Sequence, residues 1–319
     1  MQLNSKKNKF KNRIKTPILI TGSTGFIGAN LTRKLVNLGY KIVIIVRPNS
    51  NLWRIEDLKK NLSIYKADLC DHNKIKKIIL KIKPQTIFHL ATYGAYSFQN
   101  EKEIIKSINL DASMNLLDSC QNFKFNSFIN VGSNSEYGFK DTPMKEDDIL
   151  NPNSYYAVFK SAFTNYCKFI SISKKLPIVT LRPFHVYGPY EEKTRLIPVL
   201  INNLLKNKSP KLVDPNISRD MIYINDVLNL FIKVSSSKFG FGEIYNVGSG
   251  KSYKIKEIYS KISGILNSNI KPKWNSMKNR SWDQKIWVSN IKKAKKKFNW
   301  KIEYNLTKGL KETINWYIE

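Results

Sequence analysis

The stretch ILITGSTGFIGANL, residues 18–31, decides how this chain is read. A short apolar run leads into three glycines spaced three apart, Gly22, Gly25 and Gly28, and then into a helical pattern. A strand, a glycine-rich turn and a helix in that order make an anion site, because bare backbone N–H groups and the positive helix end face one point. Glycine also lets a ligand approach the backbone closely, and the pyrophosphate of a dinucleotide fits that description. The spacing is GxxGxxG, not the GxGxxG of the dinucleotide fingerprint, and a tight structural turn is the alternative reading.

Beyond this stretch, apolar β-branched runs alternate with helical patterns. Strands are expected at 17–21, 41–46, 62–66, 86–90, 128–131 and 178–182. ANLTRKLVNLG places Leu31, Leu35 and Leu38 on one helical face and stops at Gly39, and 102–122 and 154–173 are also helical by period. Such alternation makes βαβ units and a Rossmann-like α/β fold, a doubly wound parallel sheet. After Arg182 the order loosens, with loops expected at 186–194 and 206–220. A short strand in EIYNVGSG (243–250), a helix over about 253–266 and a polar, Trp-containing tail follow.

The chain has 319 residues, and 54 Lys and Arg against 24 Asp and Glu give it a net charge of +30. Such a balance ordinarily points to nucleic acid, a membrane surface or an anionic substrate. Here the lysines are scattered among many Asn and Ile residues, as codon bias in an AT-rich genome would produce, and no nucleic-acid or membrane partner is expected. Only IKKAKKKF (291–298) is dense, and one solvated helix face explains it. No stretch approaches the roughly 18 apolar residues of a membrane span. The first residues, MQLNSKKNKFKNRIK, lack the apolar segment of a secretory signal and read as a short solvated tail. Cys70, Cys120 and Cys167 are odd in number and lack metal-ligand spacing, which favours reduced thiols in a cytoplasmic protein and no metal.

NPNSYYAVFKSA (151–162) sets Tyr156 and Lys160 four apart on one helical face. A free phenol, with a pKa of roughly 10, is a poor base at neutral pH, but a nearby ammonium favours the phenolate. Such a tyrosine can exchange a proton with an alcohol or ketone oxygen, and the lysine can hold nucleotide ribose hydroxyls. The pair alone is common on helix surfaces. Its position after FINVGSNSEYG (128–138) strengthens it, since Ser133 would stand at the carboxyl end of a parallel strand, where such folds bind ligands.

With these residues in place, the chain resembles the extended short-chain dehydrogenases/reductases that modify nucleotide-diphosphate sugars. The likeness runs from Ile18 to about Trp316, with the motifs in family order. TGSTGFIG (21–28), ADLCD (67–71), IFHLA (87–91), INLDASMNLL (108–117), SYYAVFK (154–160), LRPFHVYGP (181–189), SRDMIYINDV (218–227) and NRSWDQKIWVSNIKKAKKKFNWK (279–301) carry it. The resemblance implies a dinucleotide-binding domain over 16–183, with a returning segment at about 221–250, after a basic tail at 1–15. A smaller, discontinuous region, 184–220 and 251–319, would bind the nucleotide sugar.

It further implies that Ser133 hydrogen-bonds the reacting sugar oxygen, that Tyr156 is the acid/base, and that Lys160 tunes it and binds ribose. Gly22, Gly25, Phe26, Ile27 and Gly28 would form the pyrophosphate turn, and Asp68 and Leu69 would flank the adenine. Leu90, Ala91, Asn109 and Phe184 would lie along the cofactor. Asn134 and His185 would stand on the substrate side, although a lone histidine is more often a packing or hydrogen-bonding residue, and His89 reads as structural. Arg219, Arg280 and Asp283 would grip the nucleotide, guanidinium forks on the diphosphate and a carboxylate on ribose. Most of the tryptophans should be packing residues. Helices 102–122 and 154–173 resemble those that pair between subunits, so a homodimer is expected.

Two departures narrow the reading. Relatives using NAD resemble one another in ending the second strand with an aspartate on the adenosine ribose, whereas here Arg47 stands in IIVRPNSNLWR and Arg54 follows. A cation there suits the extra phosphate of NADP(H), which is favoured, with NAD(H) the alternative. The 4,6-dehydratases carry acids two or three places before the motif tyrosine, where this chain has Ser135 and Asn134, with Glu136 displaced by one. Reduction of a 4-keto sugar in deoxysugar or surface-polysaccharide synthesis is therefore expected, ahead of 4-epimerisation with a retained cofactor. A nucleotide-sensing or RNA-binding relative on the same fold is the reading from a different class, and keeping Ser133, Tyr156 and Lys160 together argues against it.

Overall fold

The computed structural model describes residues 14–140, 143–277 and 286–319. Six strands come in sequence: β1 (Ile18–Thr21), β2 (Ile42–Val46), β3 (Leu62–Lys66), β4 (Thr86–His89), β5 (Ser127–Val131) and β6 (Ile178–Pro183). Then β7 (His185–Tyr187) and β8 (Ser218–Tyr223) leave for a second sheet, β9 (Glu243–Val247) returns to the first, and β10 (Ser252–Lys254) rejoins the second. The main sheet is parallel throughout, in the order β3-β2-β1-β4-β5-β6-β9. The order reverses between β1 and β4, so the chain ends leaving those two strands diverge and open a crevice at their carboxyl edge.

Apart from the partly buried edge strand β3, its strands are buried on both faces, which explains why they read as mainly apolar runs. Ile18 and Ile20 of β1 enter one core with Ile42, Ile44, Phe88, Ile129 and Val131. Leu19, between them, enters the opposite core with Ile45, Ile87, Phe128 and Ile178. The helices α1 (Phe26–Asn37), α2 (His72–Ile82), α3 (Lys102–Lys106), α4 (Ala112–Cys120) and α5 (Tyr155–Ser173) alternate with these strands. In α1, Leu31 and Leu35 are fully buried, and the chain leaves it through Gly39 at φ +88°, a left-handed stop that a glycine adopts without strain.

The six expected strands are present, each within one or two residues of its expected limits. The helical period at 102–122 runs on through α3 and α4 but is interrupted by a π segment, Ser107–Asp111, which hydrophobic spacing does not reveal. The later third differs more. Part of the stretch expected as loop at 186–194 belongs to β7, and 218–220 to β8, while α6 (Leu196–Leu205) and α7 (Ile224–Ser235) lie where no helix was expected. The elements α8 (Ile255–Ile265), α9 (Lys292–Phe298) and α10 (Leu306–Ile318) complete the chain. β7 and β10 are three residues each, too short to show a period, and they gain their hydrogen bonds from β8 between them. Among the described residues, no helix is long and apolar enough to cross a membrane.

Candidate active site

A cavity of about 1310 Å³ opens at the carboxyl edge of the sheet. Single-ligand pockets are about 300–1,000 Å³, so this space suits two ligands side by side. At one end lies the glycine turn. Gly22 sits at φ +72°, and a Cβ there would stand 2.6 Å from Ala91 N, so β1 and the loop after β4 close together only over glycine. A Cβ on Gly28 would run into the Gly22 carbonyl oxygen, which lets α1 start directly against the turn. Gly25 is the N-cap of α1; no side chain caps the helix, and no acid occupies its first turn. The first N–H groups and the positive helix end are left for an anion at the cavity wall. These residues fit the pyrophosphate of a dinucleotide.

Gly22, Gly25, Phe26, Ile27, Gly28, Arg47, Asp68, Leu69, Leu90, Ala91 and Phe184 all line this one cavity. Arg47 follows β2 directly and is exposed; Asp68 accepts from Cys70 N at 2.9 Å. Asn109 does not line it. Almost fully buried in the π segment, it gives its amide hydrogens to Tyr93 O (2.6 Å) and Ile105 O (2.9 Å) and accepts from Thr92 Oγ1 (2.7 Å) and Tyr93 N (3.3 Å). Asn109 shapes the loop beside the cofactor's expected path rather than facing it, because its four polar contacts are spent on that loop. His89 is likewise internal, between Thr21 Oγ1 (2.7 Å) and Ser113 Oγ (2.9 Å), its pKa pushed down to about 3 by burial.

Farther along the cavity stand Ser133, Tyr156 and Lys160. Ser154 caps α5 by accepting from Ala157 N at 3.3 Å, which places Tyr156 in the first turn and Lys160 one turn on. The hydroxyls of Ser133 and Thr92 are on the side of the phenol where they favour its ionised form. Burial raises the Tyr156 pKa above its ordinary value, opposed by those two hydroxyls and by Arg195 and assisted by the Glu136 carboxylate. The lysine expected to acidify this phenol donates one ammonium hydrogen to Val131 O at 2.6 Å, its own pKa drawn down by burial and up by Glu136. The helical spacing brings the pair to one face, and burial then sets the direction.

Glu136 is not in the cleft. Its Oε1 accepts from Ser133 N at 2.8 Å, its Oε2 from Arg182 Nε at 2.8 Å, and both partners of this ion pair are fully buried. Ser133 Oγ accepts from Ser135 N at 3.1 Å, completing a capping box. The turn is thereby fixed, with Ser133 at the cavity wall. Glu136 therefore supports the turn that carries Ser133 from beneath the cleft.

On the far side, Asn134, His185 and Arg219 line the cavity, and Arg219 Nη1 donates to Ser218 O at 2.9 Å. His185 is neutral, its pKa well below the usual range through burial and two nearby arginines, and its ring stands edge-on to Trp287. Asp220, next to Arg219, accepts from Ser249 N (2.6 Å), Gly250 N (3.1 Å) and Ser289 N (2.9 Å). This buried carboxylate ties β8 to the turn after β9 and to the C-terminal segment. Arg280 and Asp283 lie outside the described residues. Sequence reading missed Thr92, Glu191 and Arg195, which also line the cavity. Glu191 is buried with Oε2 unpartnered and its pKa pushed up to about 8 by burial, while Arg195 lies 3.8 Å from it. Glu191 sits in the stretch expected as loop at 186–194 and Arg195 directly after it, where the chain carries no periodic signal.

Sheet order, glycine turn and the serine, tyrosine and lysine at one cavity define a dinucleotide-binding protein of the extended short-chain dehydrogenase/reductase class. The chain belongs to the NAD dependent epimerase/dehydratase family, which matches residues 18–248. A trifunctional UDP-glucose 4,6-dehydratase/UDP-4-keto-6-deoxy-D-glucose 3,5-epimerase/UDP-4-keto-L-rhamnose-reductase of Arabidopsis thaliana is 28% identical over 95% of this chain, which spans 47% of that protein. A dTDP-D-glucose 4,6-dehydratase of Dictyostelium discoideum is 29% identical over 78% of this chain, which spans 62% of it. A UDP-glucuronate 4-epimerase of Thermodesulfobacterium geofontis is 28% identical, covering 93% of this chain and 95% of its own. Among solved structures, a UDP-N-acetylglucosamine 4-epimerase of Methanobrevibacter ruminantium M1 in complex with UDP-N-acetylmuramic acid is similar at TM-score 0.86 and 30% identity, covering 94% of this chain and 97% of its own. A UDP-glucuronic acid 4-epimerase of Bacillus cereus in complex with UDP-glucuronic acid and NAD superposes with TM-score 0.84 at 25% identity, over 94% of this chain and 98% of its own.

Proposed function

We propose that this protein carries out NAD(P)-dependent redox chemistry at the 4-position of a nucleotide-diphosphate sugar. The observation that carries the reading is the convergence of Ser133, Tyr156 and Lys160 on the cavity that begins at the glycine turn. When bound, the nicotinamide supplies or takes up the hydride. Tyr156 gives its proton to, or takes it from, the sugar oxygen, and Ser133 holds that oxygen through its hydroxyl. Lys160, buried on Val131 O, fixes the floor of the site beside them. Arg219 supplies positive charge for the diphosphate.

Within this chemistry, reduction of a 4-keto sugar is favoured by Arg47 at the end of β2, where its cation suits an adenosine 2′-phosphate. Epimerisation with a retained cofactor is supported by the relatives named as 4-epimerases. Incubation with NADPH and UDP- or dTDP-4-keto-6-deoxyhexoses is expected to oxidise NADPH stoichiometrically. Conversion of UDP-hexoses by protein purified with bound NAD, without net oxidation of NADPH, would instead select the epimerase. Absence of both activities, with tight RNA binding, would select the non-catalytic reading. Arg47→Asp is expected to weaken NADPH binding about 10- to 100-fold, the value of one charge-assisted contact, with little change for NADH. Fluorescence titration of the two nucleotides measures it.

The reading includes a homodimer. Tyr155, Val158, Ala162, Phe169 and Ile172 follow one stripe of α5, and Phe169 is 63% and Ile172 53% exposed. A second copy of the same stripe would cover it, and light scattering is expected to give twice the monomer mass. Phe169→Glu should shift that mass to the monomer value; a monomeric wild-type protein would remove this part of the reading.

A further inference from the structure

Arg54 stands between two walls of the cavity, the glycine turn and the segment that follows β7, and its side chain is tied to both. We propose that Arg54 is a positioning residue: its guanidinium clasps the segment 188–195 against the glycine turn, so that a dinucleotide seated on the turn enters and leaves only when the clasp opens. The proposal rests on the reading of that turn as the pyrophosphate site.

Three contacts of one guanidinium make the clasp. Nε donates to Tyr190 O at 2.8 Å, Nη1 to Thr24 O at 3.3 Å, and Nη2 to Glu192 Oε2 at 3.4 Å, the last being also an ion pair. Thr24 lies between Gly22 and Gly25 of the turn, whereas Tyr190 and Glu192 are 136 and 138 residues from Arg54 along the chain. A planar fork with donors on all three nitrogens suits acceptors that sit on two segments. The side chain is only 13% exposed, so this is no solvated surface arginine. From the sequence, Arg54 stood with Arg47 as a cation for an adenosine 2′-phosphate. Its three nitrogens face two carbonyls and a carboxylate instead, which leaves Arg47 as the cation at the end of β2.

Both sides of the clasp are braced. Arg33 of α1 donates to Arg54 O through Nε at 3.1 Å and Nη2 at 2.7 Å, which fixes the backbone from which the guanidinium extends. The guanidinium also lies over the Trp53 ring, 4.5 Å from its centre. On the other side Tyr190 has φ +67°, an uncommon conformation for a residue with a side chain. Its ring is held by Trp316 at 4.8 Å and by the Arg33 guanidinium at 4.5 Å, and the neighbouring Pro189 O accepts from Asn30 Nδ2 at 2.9 Å. Glu191, Glu192, Thr194 and Arg195 of the same segment line the cavity, so whatever holds this segment also sets how far the cavity stands open beside the turn. The clasp grips protein on both sides, and it therefore slows entry and exit alike, with or without a 2′-phosphate on the nucleotide.

Stopped-flow fluorescence of NADH and NADPH with the full chain tests this, by mixing for association and by displacement with excess oxidised nucleotide for dissociation. In Arg54→Gln both rates are expected to rise about 10-fold for both nucleotides, as the loss of a charge-assisted hydrogen bond implies, so that Kd moves less than either rate. Glu192→Gln, which leaves the contacts to Tyr190 O and Thr24 O, should raise both rates by a smaller factor, and it carries the test should Arg54→Gln not fold. The double variant should be no faster than Arg54→Gln, because both changes open one clasp. Rates unmoved in these variants, an effect confined to NADPH, or faster dissociation with unchanged or slower association would each overturn the proposal. The second outcome would put Arg54 on the 2′-phosphate, and the third on the pyrophosphate itself. A wild-type protein that binds neither nucleotide would overturn the proposed function and the clasp together, whereas binding with unmoved rates overturns the clasp alone.

Discussion

Replacement of Tyr156 by phenylalanine is expected to lower turnover by about 10²- to 10⁴-fold, the usual worth of a positioned acid/base. The ring stays, so the packing of α5 and the cavity wall should be kept, and unfolding should be little changed. Binding of nucleotide and sugar should persist, since the glycine turn, Arg47 and Arg219 are untouched. Stopped-flow or steady-state absorbance of the nicotinamide reads the loss in rate, and calorimetric titration reads the retained affinity. A Tyr156→Phe protein with more than about a tenth of the wild-type rate, well above that range, would remove the phenol from the mechanism. Ser133→Ala should cost less, because one neutral hydrogen bond contributes about 1 kcal/mol.

The second large effect concerns stability. Glu136→Ala is expected to destabilise the protein by about 3–5 kcal/mol, because it leaves the Arg182 guanidinium buried and unpaired. The same change frees Ser133 N, which donates to Glu136 Oε1, and opens space beside Gly132. Denaturant unfolding measures it. Glu136→Leu combined with Arg182→Met should recover most of the loss, since replacing a buried ion pair by apolar groups is often close to neutral. Equal destabilisation by the single and double changes would show that packing, and not the uncompensated charge, sets the cost.

Much of this was legible in residues 18–31 and 151–162. The strand, glycine turn and helix are determined locally, by a short β-branched run, by the conformational freedom of Gly22 and by a periodic apolar face in α1. Five of the six strands could be read because they are buried on both sides of one sheet, which favours apolar runs; the edge strand β3, LSIYK, is only partly buried and alternates instead. The four-residue spacing of Tyr156 and Lys160 likewise follows from helix geometry alone. Where strands were only three residues long, as β7 and β10 are, or where a helix follows a loop without a cap, as α6 does after Arg195, no local pattern marks them.

What the sequence by itself determined was the class of fold, the glycine turn before α1, and the spacing that sets Tyr156 and Lys160 on one helical face, all set by contacts within a few residues along the chain. Tertiary structure alone decided that Glu136 is a buried partner of Arg182, 46 residues away, that Asn109 is spent on the loop of Thr92, and that Lys160 reaches Val131 O. It also decided the direction of the Tyr156 pKa, because burial and hydrogen bonding depend on which distant segments close over a group, and no spacing along the chain encodes that.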